Sequence, residues 1–338
     1  MPKRTTRVEE LRAPVKGGVR RVLVLADLEK QGVRSFKAPL CDWLRARQLG
    51  VDFEGELRAF LRRHEALEPS KRRAARPDLV VVLGGDGAIL AAVRAFAEHP
   101  VPTVGINFGR VGFLASTPVS HWEEVLTGIL EGDGLLEPRM RLVARLRTHD
   151  GDDRVAIALN DVVLQRGATQ GMLTLALRVD GEWVTDYRAD GLIVATPSGS
   201  TAHSLSAGGP ILIPSMFGMV VTPICPQALA HRPLVLHPDS RLELAIRASA
   251  GLTTLAVDGQ AYTPLHQGES VFVERHPLPY PLLGWAKLDP YRRLRERLGW
   301  SGTMTTLGLG AGEDSVALDD GAGSTGPPRG TGQDDSGL

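Results

Sequence analysis

The sequence lacks net charge, is poor in cysteine and holds no unbroken apolar run long enough to span a membrane. Lys plus Arg number 39 and Asp plus Glu number 39, so the formal charge is zero. A neutral total argues against a nucleic-acid coat protein or a general polyanion binder, while permitting a local basic patch. Only Cys41 and Cys225 occur. They give no disulfide framework and no CxxC site, and they suit a reducing cytosol. No His/Cys/Asp spacing fits zinc. Behind the basic Met1-Pro2-Lys3-Arg4 there is no apolar h-region, so no secretory signal is read. Between Gly191 and Ala230 charged residues are missing altogether. Pro197, Pro210, Pro214, Pro223 and Pro226 interrupt that stretch, which a spanning helix would not tolerate. It reads as a buried irregular segment or the wall of a ligand cleft. A GxGxxG fingerprint and a GxxxxGK[ST] phosphate loop are both absent; the GxGxG at Gly308 lies in the tail and is read as noise.

What is present is an ordinary soluble composition, 43% apolar and 23% charged. The 338 residues allow about two domains. Gly (38) is above the usual share and Pro adds 23, so tight turns and close backbone approaches are expected. Residues 1–18 read as a disordered leader. Val22–Ala26, Leu79–Leu83 and Thr103–Asn107 are short apolar runs, each a buried-strand signal. Helical spacing marks Arg34–Leu49, Glu54–Leu67, Ala88–Glu98 and Trp122–Leu130. This alternation predicts a parallel α/β sheet over 19–138. After Pro138 the period changes to two. Leu142–Arg147, Leu173–Val179, Leu242–Arg247, Thr253–Val257 and Ser270–Val273 read as strands, with Asp180-Gly181 as a hairpin turn. A mostly β domain is expected over 139–288. A short helix follows over 289–300, with Asp289 as N-cap and Pro290 at its first position. Residues 301–338 hold 10 Gly and six acidic residues against one Arg, and read as a disordered acidic tail.

Four segments could carry chemistry. Gly84-Gly85-Asp86-Gly87 stands directly after a buried strand and before a helix. Glycines there let a ligand approach the backbone, and a helix N-terminus offers N–H donors to phosphate. An aspartate in a pure phosphate cradle would repel anions. A chemical role, accepting a hydroxyl proton or binding Mg²⁺, competes evenly with a simple helix cap. Asn160-Asp161, inside the apolar run Ala158–Leu164, suits a vicinal diol such as a ribose, although a bulge is the more common reason for such a pair. Asp190–Pro210 carries Ser200, Thr201 and Ser204 at a helix start, either ligand donors or ordinary caps. Asp258-Gly259-Gln260 by itself is a hairpin turn.

Together, in this order and spacing, these segments resemble the NAD kinase family. The matching residues are GGDG at 84–87, GIN-x-G-x-x-GF at 105–113, LN-acid-V at 159–162, DGLIVATPSGSTAHSLSAGGP at 190–210 and DGQ at 258–260. RPLVL at 232–236 and LGW at 298–300 also match, so the resemblance spans roughly Val22 to Trp300. It implies a Rossmann-like α/β domain joined to a β-sandwich. It implies transfer of the γ-phosphate of ATP, in some members of polyphosphate, to the 2′-hydroxyl of the adenosine ribose of NAD. Asp86 would be the catalytic carboxylate, orienting and deprotonating that hydroxyl. Gly84, Gly85 and Gly87 would present N–H groups to phosphate. Asp86, Gly87, Phe113, Asn160, Asp161, Arg188, Asp190, Thr201, Ala202, His203, Ser204, Leu205, Ser206 and Gln260 would line the NAD site. Mg²⁺ or another divalent metal and a homodimer or homotetramer are implied as well; the cysteines, the neutral charge and the prolines add the expectation of a cytoplasmic location with no nucleic acid or membrane partner.

The sequence departs from the usual pattern at several places. Ala88 stands where Thr is usual, Asp161 replaces Glu, Ser198 replaces Thr and His203 replaces Tyr. The basic residue usual early in the helix after GGDG is missing, and Arg94 is the nearest candidate. Two rival readings share parts of the pattern. A lipid or polyol kinase would keep GGDG but not the 190–210 block; a non-catalytic NAD(P) sensor would not need Asp86. A dehydrogenase would require the glycine fingerprint that is absent.

Overall fold

The computed structural model describes residues 18–57, 60, 76–109, 112–147, 154–167, 171–259, 261–284 and 290–300. The expected leader up to residue 17, the acidic tail, Asp289 and Gln260 lie outside the described residues.

The first sheet is built on runs that are apolar on both faces. β1 (Arg21–Ala26), β3 (Leu79–Gly84) and β4 (Thr103–Asn107) are almost wholly buried, as parallel strands covered by helices must be. Strand β2 (Gly50–Glu54) pairs in parallel with β1, giving the order β2-β1-β3-β4. Sequence periodicity begins a helix at Glu54; the chain is still extended at Glu54 and is helical at Leu57 and Phe60, and the rest of the expected helix, to Leu67, lies outside the described residues. Val51 and Phe53 pack on the core while Asp52 pairs with Arg21 at 2.9 Å, a period-two pattern too short to stand out. Helix α1 (Val33–Ala46) covers one face, burying Val33, Leu40, Cys41 and Leu44. Helix α2 (Asp86–Ala95) covers the other, packing Ala88, Ile89, Ala91 and Ala92 on Val80 and Val82. Strand β5 (Thr117–Pro118), helix α3 (Trp122–Glu131) and strand β6 (Leu135–Arg139) follow.

Two antiparallel sheets form the second layer pair. One runs β11-β10-β15-β18-β7-β8, using β7 (Leu142–Arg147), β8 (Arg154–Ala158), β10 (Leu173–Val179), β11 (Glu182–Ala189), β15 (Leu242–Ala248) and β18 (Ser270–Arg275). The other runs β14-β13-β12-β9-β16-β17, using β9 (Asp161–Arg166), β12 (Gly191–Ala195), β13 (Met219–Ile224), β14 (Leu234–Leu236), β16 (Thr253–Val257) and β17 (Ala261–Leu265). Alternate residues of both share one core. Leu142, Ala144, Leu146 and Leu244 of the first sheet meet Val162, Leu192 and Val221 of the second, so the sheets pack as a sandwich. The hairpin Asp180-Gly181 has positive φ at both positions (54° and 90°), the primed turn read from sequence. The charge-free segment contains the single-turn helix α4 (His203–Ser206). It lies over the outer face of the second sheet, with Leu212 packed among Val163, Ile193, Val220 and Ala256. The segment's two strands, β12 and β13, are buried, the chain between them is an irregular wall over that face, and residues 227–230 are exposed.

One strand crosses the expected boundary. β19 (Tyr280–Gly284), in the stretch read as part of the β domain, enters the first sheet between β4 and β6. The chain therefore returns to the α/β layer before helix α5 (Pro290–Leu298).

Candidate active site

The 84–87 turn is made by the abrupt end of a buried strand. Gly84 pairs with Asn107 as the last residue of β3, and Gly85 is the N-cap of α2. A Cβ on Gly84 would come within 2.9 Å of the Ala88 Cβ, so glycine permits the helix to start directly against the strand. Ala88 itself is 3% exposed and belongs to the core. A hydroxyl there would face that core, so its loss leaves the open side of the turn unchanged.

Asp86 does not cap its own helix. Its carboxylate instead holds the loop after β4: Oδ2 accepts from the Phe113 N–H at 3.0 Å, and Oδ1 accepts from Leu114 at 3.1 Å and Ala115 at 2.9 Å. Gly112 is required for this approach, because a Cβ there would lie 2.0 Å from Oδ1. A carboxylate has about four acceptor sites. Among the described residues three are filled, and the remaining one is on Oδ2. The cap reading is thus replaced by a fixed carboxylate with one free lone pair.

Helix α5 supports that loop from behind. Arg293, buried, donates through Nη1 to the Phe113 carbonyl at 3.3 Å and through Nη2 to Glu137 Oε1 at 3.4 Å. Arg139 also bonds Glu137. Burial opposes ionisation of Glu137, but the two guanidinium groups outweigh it and hold its carboxyl below the usual range. Nothing in the sequence tied these three residues to Asp86, since they come from a strand and a helix more than 150 residues apart.

A second turn gathers Asn160 and Asp161. Asp258 sits at positive φ (50°) in the hairpin between β16 and β17. Its carboxylate accepts from the N–H groups of Leu159, Asn160 and Asp161 at 2.9, 2.7 and 3.1 Å. Asp258 is thus more than a turn residue: it fixes the Asn-Asp segment. Leu159 packs in the same core as Ala88, Ile89, Leu114 and Ala115, which joins this turn to the Asp86 side. Asp161 is 3% exposed. Burial and then the nearby Asp258 charge raise its pKa to about 7, against a backbone hydrogen bond from His203. The Asn160 side-chain oxygen is buried with no partner among the described residues. Arg94, at the far end of α2, lies where its charge acts on Asp258, so it does not supply the missing basic residue near Asp86.

The 196–206 turn is held by its own hydroxyls. Thr196 Oγ1 donates to the Leu159 carbonyl at 2.6 Å, which the sequence reading overlooked. Ser200 Oγ donates to the Pro197 carbonyl at 2.7 Å and accepts from the Leu212 N–H, while Ser204 Oγ bonds Thr222 at 2.8 Å. Ser200 and Ser204 are fully buried, so their side chains hold the turn rather than face outward. Thr201 is part-buried and donates to the Ser198 carbonyl; His203 and Ser206 are exposed. Arg188 and Asp190 are elsewhere. They precede β12 while the turn follows it, and its five residues span about 17 Å. Asp190 is paired with Arg166 at 2.6 Å.

Comparison with known proteins bears on the family and the fold. Residues 39–134 match the ATP-NAD kinase N-terminal domain and residues 159–283 the ATP-NAD kinase C-terminal domain. The NAD kinase of Rhodopirellula baltica is 42% identical over 227 residues, 67% of this chain and 73% of the relative. That of Heliobacterium modesticaldum is 39% identical over 259 residues, 77% and 91% of the two chains. Among solved structures, yeast NADH kinase complexed with NADH has a TM-score of 0.75 at 26% identity, covering 87% of this chain and 91% of that one. An NAD kinase from Archaeoglobus fulgidus in complex with ATP has a TM-score of 0.62 at 26% identity, covering 82% and 97%. With two domain matches and relatives of this identity over most of their length, the chain belongs to the NAD kinase family.

Proposed function

We propose that Asp86 is the carboxylate that receives the 2′-hydroxyl of the adenosine ribose when this NAD kinase transfers the γ-phosphate of ATP to NAD. The observation that carries the assignment is the single acceptor site left on Oδ2 after three N–H groups have fixed the carboxylate. A hydroxyl donating there would be aimed by a group that cannot rotate away. Aspartate is a weak base. Phosphoryl transfer has a loose transition state and depends mainly on positioning and charge neutralisation, so late proton loss suffices. Asn160 and Asp161, with the backbone of Thr201 to Ser206 and with Phe113, are read as the NAD-binding wall. The unpartnered Asn160 oxygen supports this, since a ligand hydroxyl would satisfy it.

The phosphate chain is assigned to the 84–87 turn, where the first intrahelical bonds of α2 run from the Ala88 and Ile89 N–H groups to the Gly85 carbonyl, so the Asp86 and Gly87 N–H groups precede the helical ladder. Mg²⁺ suits this arrangement as the ATP complex. Among the described residues no group of three or more His, Cys, Asp or Glu could cage a metal, and Mg²⁺ is usually held by phosphates plus one or two carboxylates. When bound, it would offset the triphosphate charge. The test is a coupled assay of the purified protein with NAD, ATP and Mg²⁺, with polyphosphate and NADH in parallel. NADP formation from ATP is the expected result; NAD binding without product from any donor would favour the sensor reading.

Arg188 and Asp190 are assigned to the site of a second copy, because β12 separates them from the turn in their own chain. Trp183 (58% exposed), Val235 (55%) and Leu229 (87%) offer apolar surface for such a contact. Mixing an Asp86→Asn variant with an Arg188→Ala variant should restore activity that neither shows alone. No recovery after subunit exchange would place Arg188 outside the site. The two free cysteines support a cytoplasmic assignment. Among the described residues no helix is long and apolar enough to cross a membrane.

A further inference from the structure

The helix after GGDG carries no basic residue before Arg94, in its last turn. In the order β2-β1-β3-β4 the chain leaves β1 toward β2 on one side, and β3 then takes up the other side of β1. The crossover helices lie on opposite faces, α1 on one and α2 on the other. The crevice between the carboxyl ends of β1 and β3 is therefore a topological switch point, where open α/β sheets bind ligands. Two loops form its mouth: residues 27–32 after β1, and residues 84–85 at the end of β3. The Asp27 N–H bonds the Leu83 carbonyl at 2.9 Å, which fixes the two loops together.

Lys30 lies in the first loop and points to the second. Its Nζ would be 3.2 Å from a Cβ on Gly85, and it donates to Asn107 Oδ1 at 3.4 Å. Lys30 is half-buried, and among the described residues no carboxylate lies within ion-pair distance of its ammonium. It stands beside the N-terminus of α2, which carries a partial positive charge. Asp86, the acid in that first turn, has its carboxylate turned to the 113–115 loop. Two positive sources thus converge on the 84–85 turn; Asp27 also flanks it, its Cβ 3.4 Å from a Cβ on Gly84, and its Oδ1 accepts from the Glu29 N–H at 3.3 Å. Such an arrangement is stabilised by an anion placed between them.

We infer that Lys30 binds the terminal phosphate of the phosphate donor and holds it against the 84–85 turn. This rests on the reading of that turn as the donor's phosphate site. Lys30 reaches it from the loop after β1. The same charge would serve ATP and a linear polyphosphate alike.

The test uses the full-length protein with Lys30→Met and Lys30→Arg. KM for ATP should rise about 10- to 100-fold in Lys30→Met, the size of a lost charge-assisted hydrogen bond. KM for NAD should stay within about twofold, and Lys30→Arg should recover part of the loss. Inorganic tripolyphosphate, as a competitor of ATP, should inhibit Lys30→Met about 10-fold less well than the parent. Donor constants unchanged in Lys30→Met would overturn the inference, as would an equal rise in both KM values, which marks a merely structural role. A parent protein that makes no NADP from ATP would instead refute the underlying reading of the turn.

Discussion

Asp86→Asn should lower kcat by about 10²- to 10⁴-fold, the range for removing a positioned proton acceptor. NAD binding should remain close to that of the parent. The structure gives reasons for both halves. The amide is nearly isosteric with the carboxylate and can keep its oxygen on the Leu114 and Ala115 N–H groups. Its NH₂ then faces the Phe113 N–H, donor against donor, so one hydrogen bond is lost. That costs about 1–3 kcal/mol locally. Arg293 still holds the Phe113 carbonyl from the other side, so the loop should stay in place. What disappears is the free acceptor site on Oδ2. Kinetics with NAD and ATP, read beside calorimetric NAD binding, separate the effects. Near-parental turnover would remove Asp86 from the proton-accepting role. Loss of both turnover and NAD binding would mean that the variant disturbs the loop rather than the chemistry.

The fold was legible in the sequence where one pattern dominated a whole element. Leu79–Gly84 is apolar without a break, and such a run has few alternatives to a buried parallel strand. The period-two strands of the sandwich were equally plain. Strands β2 and β19 were not, because each depends on a partner distant in sequence: Gly50–Glu54 is placed by β1, and Tyr280–Gly284 by β4 and β6. The site was legible at its motifs and illegible in its supports. GGDG and Asn160-Asp161 announce polar residues in apolar surroundings. That Asp86 holds the 113–115 loop, or that Asp258 holds the 159–161 turn, follows only from the fold, since the partners are 27 to 29 and 97 to 99 positions apart. The 190–210 hydroxyls allowed two readings in the sequence. A cluster of Ser and Thr looks like a ligand surface, yet Ser200 and Ser204 face inward because an irregular buried segment must satisfy its own backbone. Lys30 and Arg293 carried no local signal at all, as a lone basic residue in a loop or on a helix is ordinarily a solvated one.

Asp258→Ala should be the most destabilising single change at the site, although Asp258 is not expected to touch substrate. Its carboxylate takes three N–H groups from consecutive residues. Alanine removes the acceptor for all three, near a core that contains Leu159. It also removes the negative charge that favours the charged form of Arg94. At about 1–3 kcal/mol for each unsatisfied group, partly relieved by water, a net loss of about 3 kcal/mol is expected. Denaturant unfolding measures it directly. Asp258→Asn should fall between the parent and alanine, because its amide oxygen still accepts two of the three bonds. The substitution has an electrostatic consequence as well. Burial is the main reason the Asp161 carboxyl sits near 7, and the Asp258 charge adds to it. Removing that charge lowers the Asp161 pKa, so the ionised form persists to lower pH. If Asp161 lies against the ribose, as the NAD-site reading requires, the pH midpoint of NAD affinity should move in the acid direction in Asp258→Asn. An unchanged pH profile with a folded variant would separate Asp161 from the NAD site; a stability loss below about 1 kcal/mol in Asp258→Ala would show that the three N–H groups find other partners.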